Sequence, residues 1–424
     1  AGTYTGIEAV SNGLPILREP KVQTAKRTML YMAVSLAFTV LGLMLAYLLY
    51  EVEYVPGKTL NAALFERMTH DWGRAGYYFV LVTLVSEAAL LFIAAQTGFL
   101  DGPRVLANMA LDRWFPTKFA MLSDRLVTQN GILIMGSTAL LMMILTQGSV
   151  RFLVVLYSIN VFITFTLSQL GMVRHWWRSR ARVESWRRKL LVNGFGLLLT
   201  GFILVSVTIL KFHEGGWITL LVTGAVVGLV TMINRHYVHT ARLLRRLNSL
   251  VVAADTSGAE AIPRAAQNGR FDPNAKTAIL LVGGFNGQGL HTLFNVFHVF
   301  GETFKNFVFV QIGVVDAGVF KGSEEIEHLR EHVQKEADRY VQFMRRQGYF
   351  AEGVCAIGID VVDEIAQIAP KLLERFPQAV FFGGQIVFPK DSFLSRWLHN
   401  YTVFAIQKRL YYLGIPVVML PIRV

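Results

Sequence analysis

The chain of 424 residues is 53% hydrophobic with a mean hydropathy of +0.43, too apolar for a water-soluble globule and in the range of membrane proteins. Its net charge of +12 would suggest nucleic acid in a soluble chain, but the basic residues gather in loops beside apolar runs. Membrane topology accounts for that placement, and no nucleic-acid partner is expected. Cys355, the single cysteine, excludes an internal disulfide and a sulfur-rich metal site. The ten histidines show no metal-ligand spacing, and no Ser–His–Asp arrangement can be argued, so the reading is not an enzyme.

The opening stretch Gly2–Pro20, GTYTGIEAVSNGLPILREP, is polar and glycine-rich just before a long hydrophobic run. Non-helical backbone is tolerated at membrane depth only where protein or a water-filled cavity satisfies its amides, and transporters build binding sites from such broken helices. The stretch reads as the second half of an interrupted transmembrane helix, with Glu8 facing a substrate path. Because Ala1 is not an initiator Met and the first element looks halved, the chain is expected to be the back part of a longer protein.

Six apolar runs follow: Thr28–Tyr50, Gly76–Gln96, Gly131–Gln147, Arg151–Val173, Leu190–Lys211 and Trp217–Asn234. Most have the roughly 18 to 23 residues that cross a bilayer at about 1.5 Å per residue, and Gly131–Gln147 is at the short limit. Within residues 1–248, loops after the opening stretch, after Gln96, after Val173 and after Asn234 carry most of the basic residues. The densest holds Arg174, Arg178, Arg180, Arg182, Arg187, Arg188 and Lys189, whereas the alternate loops hold only Lys58, Arg67, Arg74, Arg151 and Lys211. The basic set is therefore assigned to the cytoplasm. That topology signal is the simplest account of the arginine-rich loop, and a lipid-headgroup site is the weaker one.

Ser249–Lys276, rich in Ala, Gly, Asp, Asn and Pro, reads as a linker between a transporter domain (1–248) and a cytosolic domain (277–424). From Thr277 strand-like runs alternate with helical ones: Thr277–Val282, Gln288–Phe300, Phe307–Gly313, Ser323–Gln347, Phe350–Ile357, Val361–Phe376, Ala379–Phe382, Ser392–Leu413 and Ile415–Leu420. That alternation implies an α/β domain with a parallel sheet. Ser323, followed by Glu324 and Glu325, is placed to cap its helix.

GTYTGIEAVSNGLPILREPKVQTAKRT resembles the sixth helix of amino acid–polyamine–organocation (APC) permeases, which share an inverted-repeat fold of the LeuT type. Within that superfamily its threonine-glycine-x-glutamate-alanine pattern looks like the KimA branch of KUP-type potassium–proton symporters. Phe99–Pro116 (FLDGPRVLANMALDRWFP) is similar to their loop after the eighth helix, and Leu156–Trp176 to their tenth helix. The end, LHNYTVFAIQKRLYYLGIPVVMLPIRV, is similar to the close of their universal-stress-protein-like cytosolic domain. The resemblance implies half of helix six plus helices seven to twelve, a bacterial inner-membrane location and a cytoplasmic C-terminal domain. It also implies a secondary active transporter importing potassium with protons by alternating access, and a homodimer formed through the cytosolic domain. An amino acid permease is the alternative, in which broken-helix amides hold a substrate carboxylate.

Glu8 is the sharpest candidate, because an ionised carboxylate in hydrocarbon costs several kcal/mol and marks an ion or proton path. Tyr4, Thr5 and Gly6 lie within about a turn of it. Thr5 and Glu8 match the threonine and glutamate that the resemblance assigns to the potassium and proton machinery. Tyr157, in a polar notch with Ser158 and Asn160, would reach the same ion by resemblance, or else be a core tyrosine. Ser158 and Asn160 depart from the alanine and glycine usual in the family. Glu87, beside Ser86, meets the same energetic argument as Glu8 and is a second proton-path candidate, with an interhelical hydrogen bond slightly favoured. Gln169 and Ser168 read as packing groups. In the α/β part, GGFNGQG with Gly284, Asn286, Gly287 and Gly289 opens a helix after a strand. It could hold a nucleotide phosphate, by resemblance cyclic di-AMP, or simply make a tight turn. Asp316 reads as a turn residue, and His236 and His239 as interfacial. No resident cofactor is expected.

Overall fold

The computed structural model describes residues 10, 13–14, 17–256, 263, 269–319, 323–388, 398–399 and 401–423. Tyr4, Thr5, Gly6 and Glu8, and with them the interrupted helix, lie outside the described residues.

All six apolar runs are helices. They are α1 (Lys21–Leu49), α3 (Arg74–Leu111), α4 (Gln129–Leu145), α5 (Val150–Arg178), α6 (Trp186–Leu210) and α7 (Trp217–Arg245). All but the 17-residue α4 are long and apolar enough to cross a membrane. Their outer faces carry exposed apolar side chains, Phe38 at 81% among them, as lipid-facing helices do.

Three boundaries differ from the sequence expectation. A short helix, α2 (Leu60–Met68), stands between α1 and α3, started by Thr59, whose hydroxyl accepts the Ala62 amide at 3.1 Å. The segment after Gln96, expected as a loop, stays helical through Pro103 to Leu111, because Ala107 and Ala110, one turn apart, are both buried. Likewise α7 continues past Asn234, because Ile233, Tyr237 and Thr240 carry a buried stripe beyond the apolar run. The turn before α7 needs Gly215, whose φ is +106° and whose Cβ would sit 2.2 Å from the Phe152 ring.

The expected linker also changes. Asn248–Thr256 forms α8, and Leu250, Val251 and Ala254 pack on the sheet's core. A flexible tether would not bury those side chains.

The five expected strands are present as β1 (Lys276–Val282), β2 (Phe304–Val314), β3 (Phe350–Gly358), β4 (Ala379–Val387) and β5 (Val417–Arg423). They form one parallel sheet in the order β3-β2-β1-β4-β5, in register Glu352–Val308–Ile279–Phe381–Val417. Parallel strands need covered faces. On one face α9 (Gly287–Phe300) and α10 (Ser323–Arg346) cover Leu280, Phe307 and Phe309 with Leu290, Tyr340 and Met344. On the other, α11 (Val361–Arg375) and α12 (Tyr401–Tyr412) cover Ile279, Val308 and Phe381 with Ile365, Ala369 and Leu410. The α/β architecture is thus a doubly wound three-layer sandwich.

The chain divides into two compact units, one of residues 1–105 and 132–228, the other of 106–131 and 229–424. In the second, the 112–128 segment meets the α/β domain. Met121 bridges Asp316, Ala317 donates its amide to Ala120 O at 2.9 Å, and Asn234 donates to Arg113 O at 3.2 Å.

Candidate functional site

A polar chain links three elements of the first unit. The Asn61 side-chain amide on α2 donates to Glu87 Oε1 on α3 at 2.8 Å. The Tyr47 hydroxyl on α1 donates to Asn61 Oδ1. All three side chains are half-buried. A carboxylate within a spanning helix is therefore met by a neutral amide, and among the described residues no cation pairs with it. Such a group holds a proton, takes a cation or rests in a water-filled path. Glu87 was visible in the sequence. Asn61 was not, because the nine-residue α2 is too short to stand out as an apolar run, although Pro56-Gly57 and then Thr59 announce a turn and a cap. Tyr47 was not, because a tyrosine within the apolar α1 run carries no signal of its own.

The notch on α5 is a helix-pairing site. Asn160 accepts a hydrogen bond from the Thr223 hydroxyl of α7 at 2.7 Å and donates to Leu156 O. Ser158 donates back to Val154 O at 2.8 Å. Between them Ile159 is fully buried against Gly216. Tyr157 is 45% exposed, one position round from the buried face. Gln169 packs over Gly196 of α6, whose Cβ would lie 3.1 Å from the amide carbon.

In the α/β domain the 283–289 turn is occupied by the protein itself. Asn286 caps α9 by accepting the Gly289 amide at 2.9 Å, and Glu336 Oε2 accepts the Phe285 amide at 2.8 Å. The glycines answer to packing. A Cβ at Gly287 would lie 2.3 Å from Leu247 O, and one at Gly289 would lie 1.9 Å from the Tyr340 hydroxyl. That hydroxyl, pushed above its ordinary pKa by burial, donates to Gly284 O at 3.0 Å. Beside the turn, at the carboxyl ends of β1 and β4 where the strand order reverses, lies a crevice of about 440 Å³. Leu281, Thr292, Ile365, Gly384 and Ile406 line it, and among the described residues no charged side chain does. Ligands of open α/β sheets bind at such switch points. Asp316 Oδ1 accepts the amides of Gly318 and Val319, which closes a local turn.

Among the described residues, five helices are long and apolar enough to cross a membrane, and one of them carries the Glu87 carboxylate. The profile of a family described as amino acid permease matches residues 2–230. The chain belongs to that family of membrane transporters. It is also similar to the potassium transporter KimA of Bacillus subtilis (strain 168), at 32% identity over 241 residues. The match covers 57% of this chain and spans 38% of that relative.

Proposed function

We propose that the chain belongs to a secondary active transporter that imports potassium together with protons by alternating access across the bacterial inner membrane. The observation that carries this is the 32% identity with a potassium transporter over 241 residues. In this reading Thr5, Glu8 and Tyr157 hold potassium, with Tyr4 and Gly6 beside them, because hydroxyl, carbonyl and carboxylate oxygens suit a hard monovalent cation. Protonation of Glu8 exchanges with cation binding, and Glu87 serves the proton path. The C-terminal sandwich lies in the cytoplasm, is universal-stress-protein-like, pairs with a second copy, and takes a regulatory nucleotide such as cyclic di-AMP. The apolar crevice supports a site for the base. With the Gly289 and Phe285 amides already taken, a phosphate would have to find other donors.

The test is potassium uptake into proteoliposomes of the intact protein with and without an inward proton gradient. Gradient-driven uptake that Glu8→Gln abolishes is expected. Uptake retained in that variant overturns the role of Glu8, and labelled amino acid uptake without potassium flux overturns the substrate.

A further inference from the structure

The two ends of the α5–α6 hairpin differ in charge balance. At one end Arg151 and Lys211 are both paired with Glu214, at 3.5 and 3.0 Å. At the other, six arginines and Lys189 fall within residues 174–189, with Glu184 as the one carboxylate. All seven cations are exposed, and among the described residues none of them is in an ion pair. The chain therefore leaves a dense positive charge at one end of this hairpin and neutralises the other.

Aromatic side chains fix where that charge sits. Lys189 lies over the Trp176 ring at 4.5 Å, Arg180 over Trp177 at 5.3 Å and Arg187 over Trp186 at 5.5 Å, and Trp177 meets Trp186 edge to face at 6.4 Å. Each contact holds a cation beside an indole, and indoles settle at the level of lipid headgroups. Directly along α6 from these cations, Leu191, Phe195 and Phe202 are 73%, 71% and 71% exposed. An apolar wall thus continues from the cationic rim, as one phospholipid requires of its binding surface. A soluble polyanion would use the rim alone.

We propose that the 174–189 end of the hairpin binds acidic phospholipids, with phosphates on the arginine rim and acyl chains along α6. The rim spreads over two helix ends and carries about sevenfold more positive than negative side chains. The juxtaposition of unpaired cations, interfacial indoles and an exposed apolar wall selects an anionic lipid.

The experiment places the purified protein in nanodiscs of phosphatidylcholine or of phosphatidylcholine mixed with phosphatidylglycerol, then measures lipid retained by native mass spectrometry and the melting temperature. Phosphatidylglycerol is expected to be retained preferentially and to raise the melting temperature. Each cation near an anionic surface is worth about fivefold in affinity. Replacing Arg180, Arg182, Arg187 and Arg188 together by Gln is therefore expected to weaken retention by more than about tenfold. The matching Lys replacements should keep most of it, and Arg151→Gln should leave it unchanged. Equal retention by the wild type and the Gln variant overturns the proposal. So does an equal rise in melting temperature from inorganic phosphate, which would make the rim a general anion site. None of these readouts depends on the transported ion.

Discussion

Gly289 shows how one residue type is dictated by a distant one. Its missing Cβ makes room for the Tyr340 hydroxyl, and Tyr340 in turn stacks on Phe309 at 4.6 Å and satisfies the Gly284 carbonyl. Gly289→Ala is expected to cost about 1–3 kcal/mol, the usual penalty of overpacking a close-packed core. Thermal unfolding of the protein reads it, and an unchanged transition would show that Tyr340 can move aside. His399 gives the second prediction at this scale. Its Nε2 lies 3.1 Å from His236 Nε2, with Phe388 and Tyr237 packed around the pair and His239 beside His236. Burial, then the neighbouring His236, push His399 down to about 4. The folded state thus resists a proton that the unfolded chain accepts near its ordinary value of about 6.5. Stability should be unaffected above that value and should fall as pH drops from about 6.5 towards 4. His399→Gln should flatten the fall, as melting temperature against pH would show.

At the level of elements, α2 is held by polar contacts more than by burial. Of its nine residues only Ala62 and Leu64 are buried, while Asn61 ties it to Tyr47 and Glu87. A double-mutant cycle of Asn61→Ala and Glu87→Gln should return a coupling of about 1 kcal/mol in unfolding free energy, the usual size for hydrogen bonds between membrane helices. Additive effects would mean that the two side chains act independently. The same element explains a limit of the sequence. Hydropathy finds long apolar helices because hydrocarbon demands about 20 apolar residues in a row, whereas a short helix outside that demand leaves only its cap and turn residues as a signal.

For the whole molecule, the units recognised by contact do not follow the boundaries that composition suggests. Residues 106–131 and 229–247 have the composition of loop and helix end, yet they belong to the compact unit that contains the α/β sandwich. Ala107, Ala110, Ile233 and Tyr237 are buried there. Proton-driven potassium uptake tests the molecule at this scale. Anionic-lipid retention tests one hairpin of the other unit independently of that outcome.

The sequence by itself determined the six apolar helices, the alternation that makes a parallel sheet, the membrane class and the family motifs. Each follows from local rules: the length of hydrocarbon to be crossed, the period of apolar residues, and the residue types a motif requires. Glu87 was legible on the same ground, since any carboxylate within an apolar run stands out. The tertiary structure alone decided its partners, because Tyr47, Asn61 and Glu87 are brought together from three elements. It also decided the strand order, which depends on packing between distant segments, and it gave the glycines of the 283–289 turn their packing against Leu247 and Tyr340. Whether a glycine faces a ligand or a neighbouring chain is a matter of what stands a few ångströms away, and no local pattern encodes that.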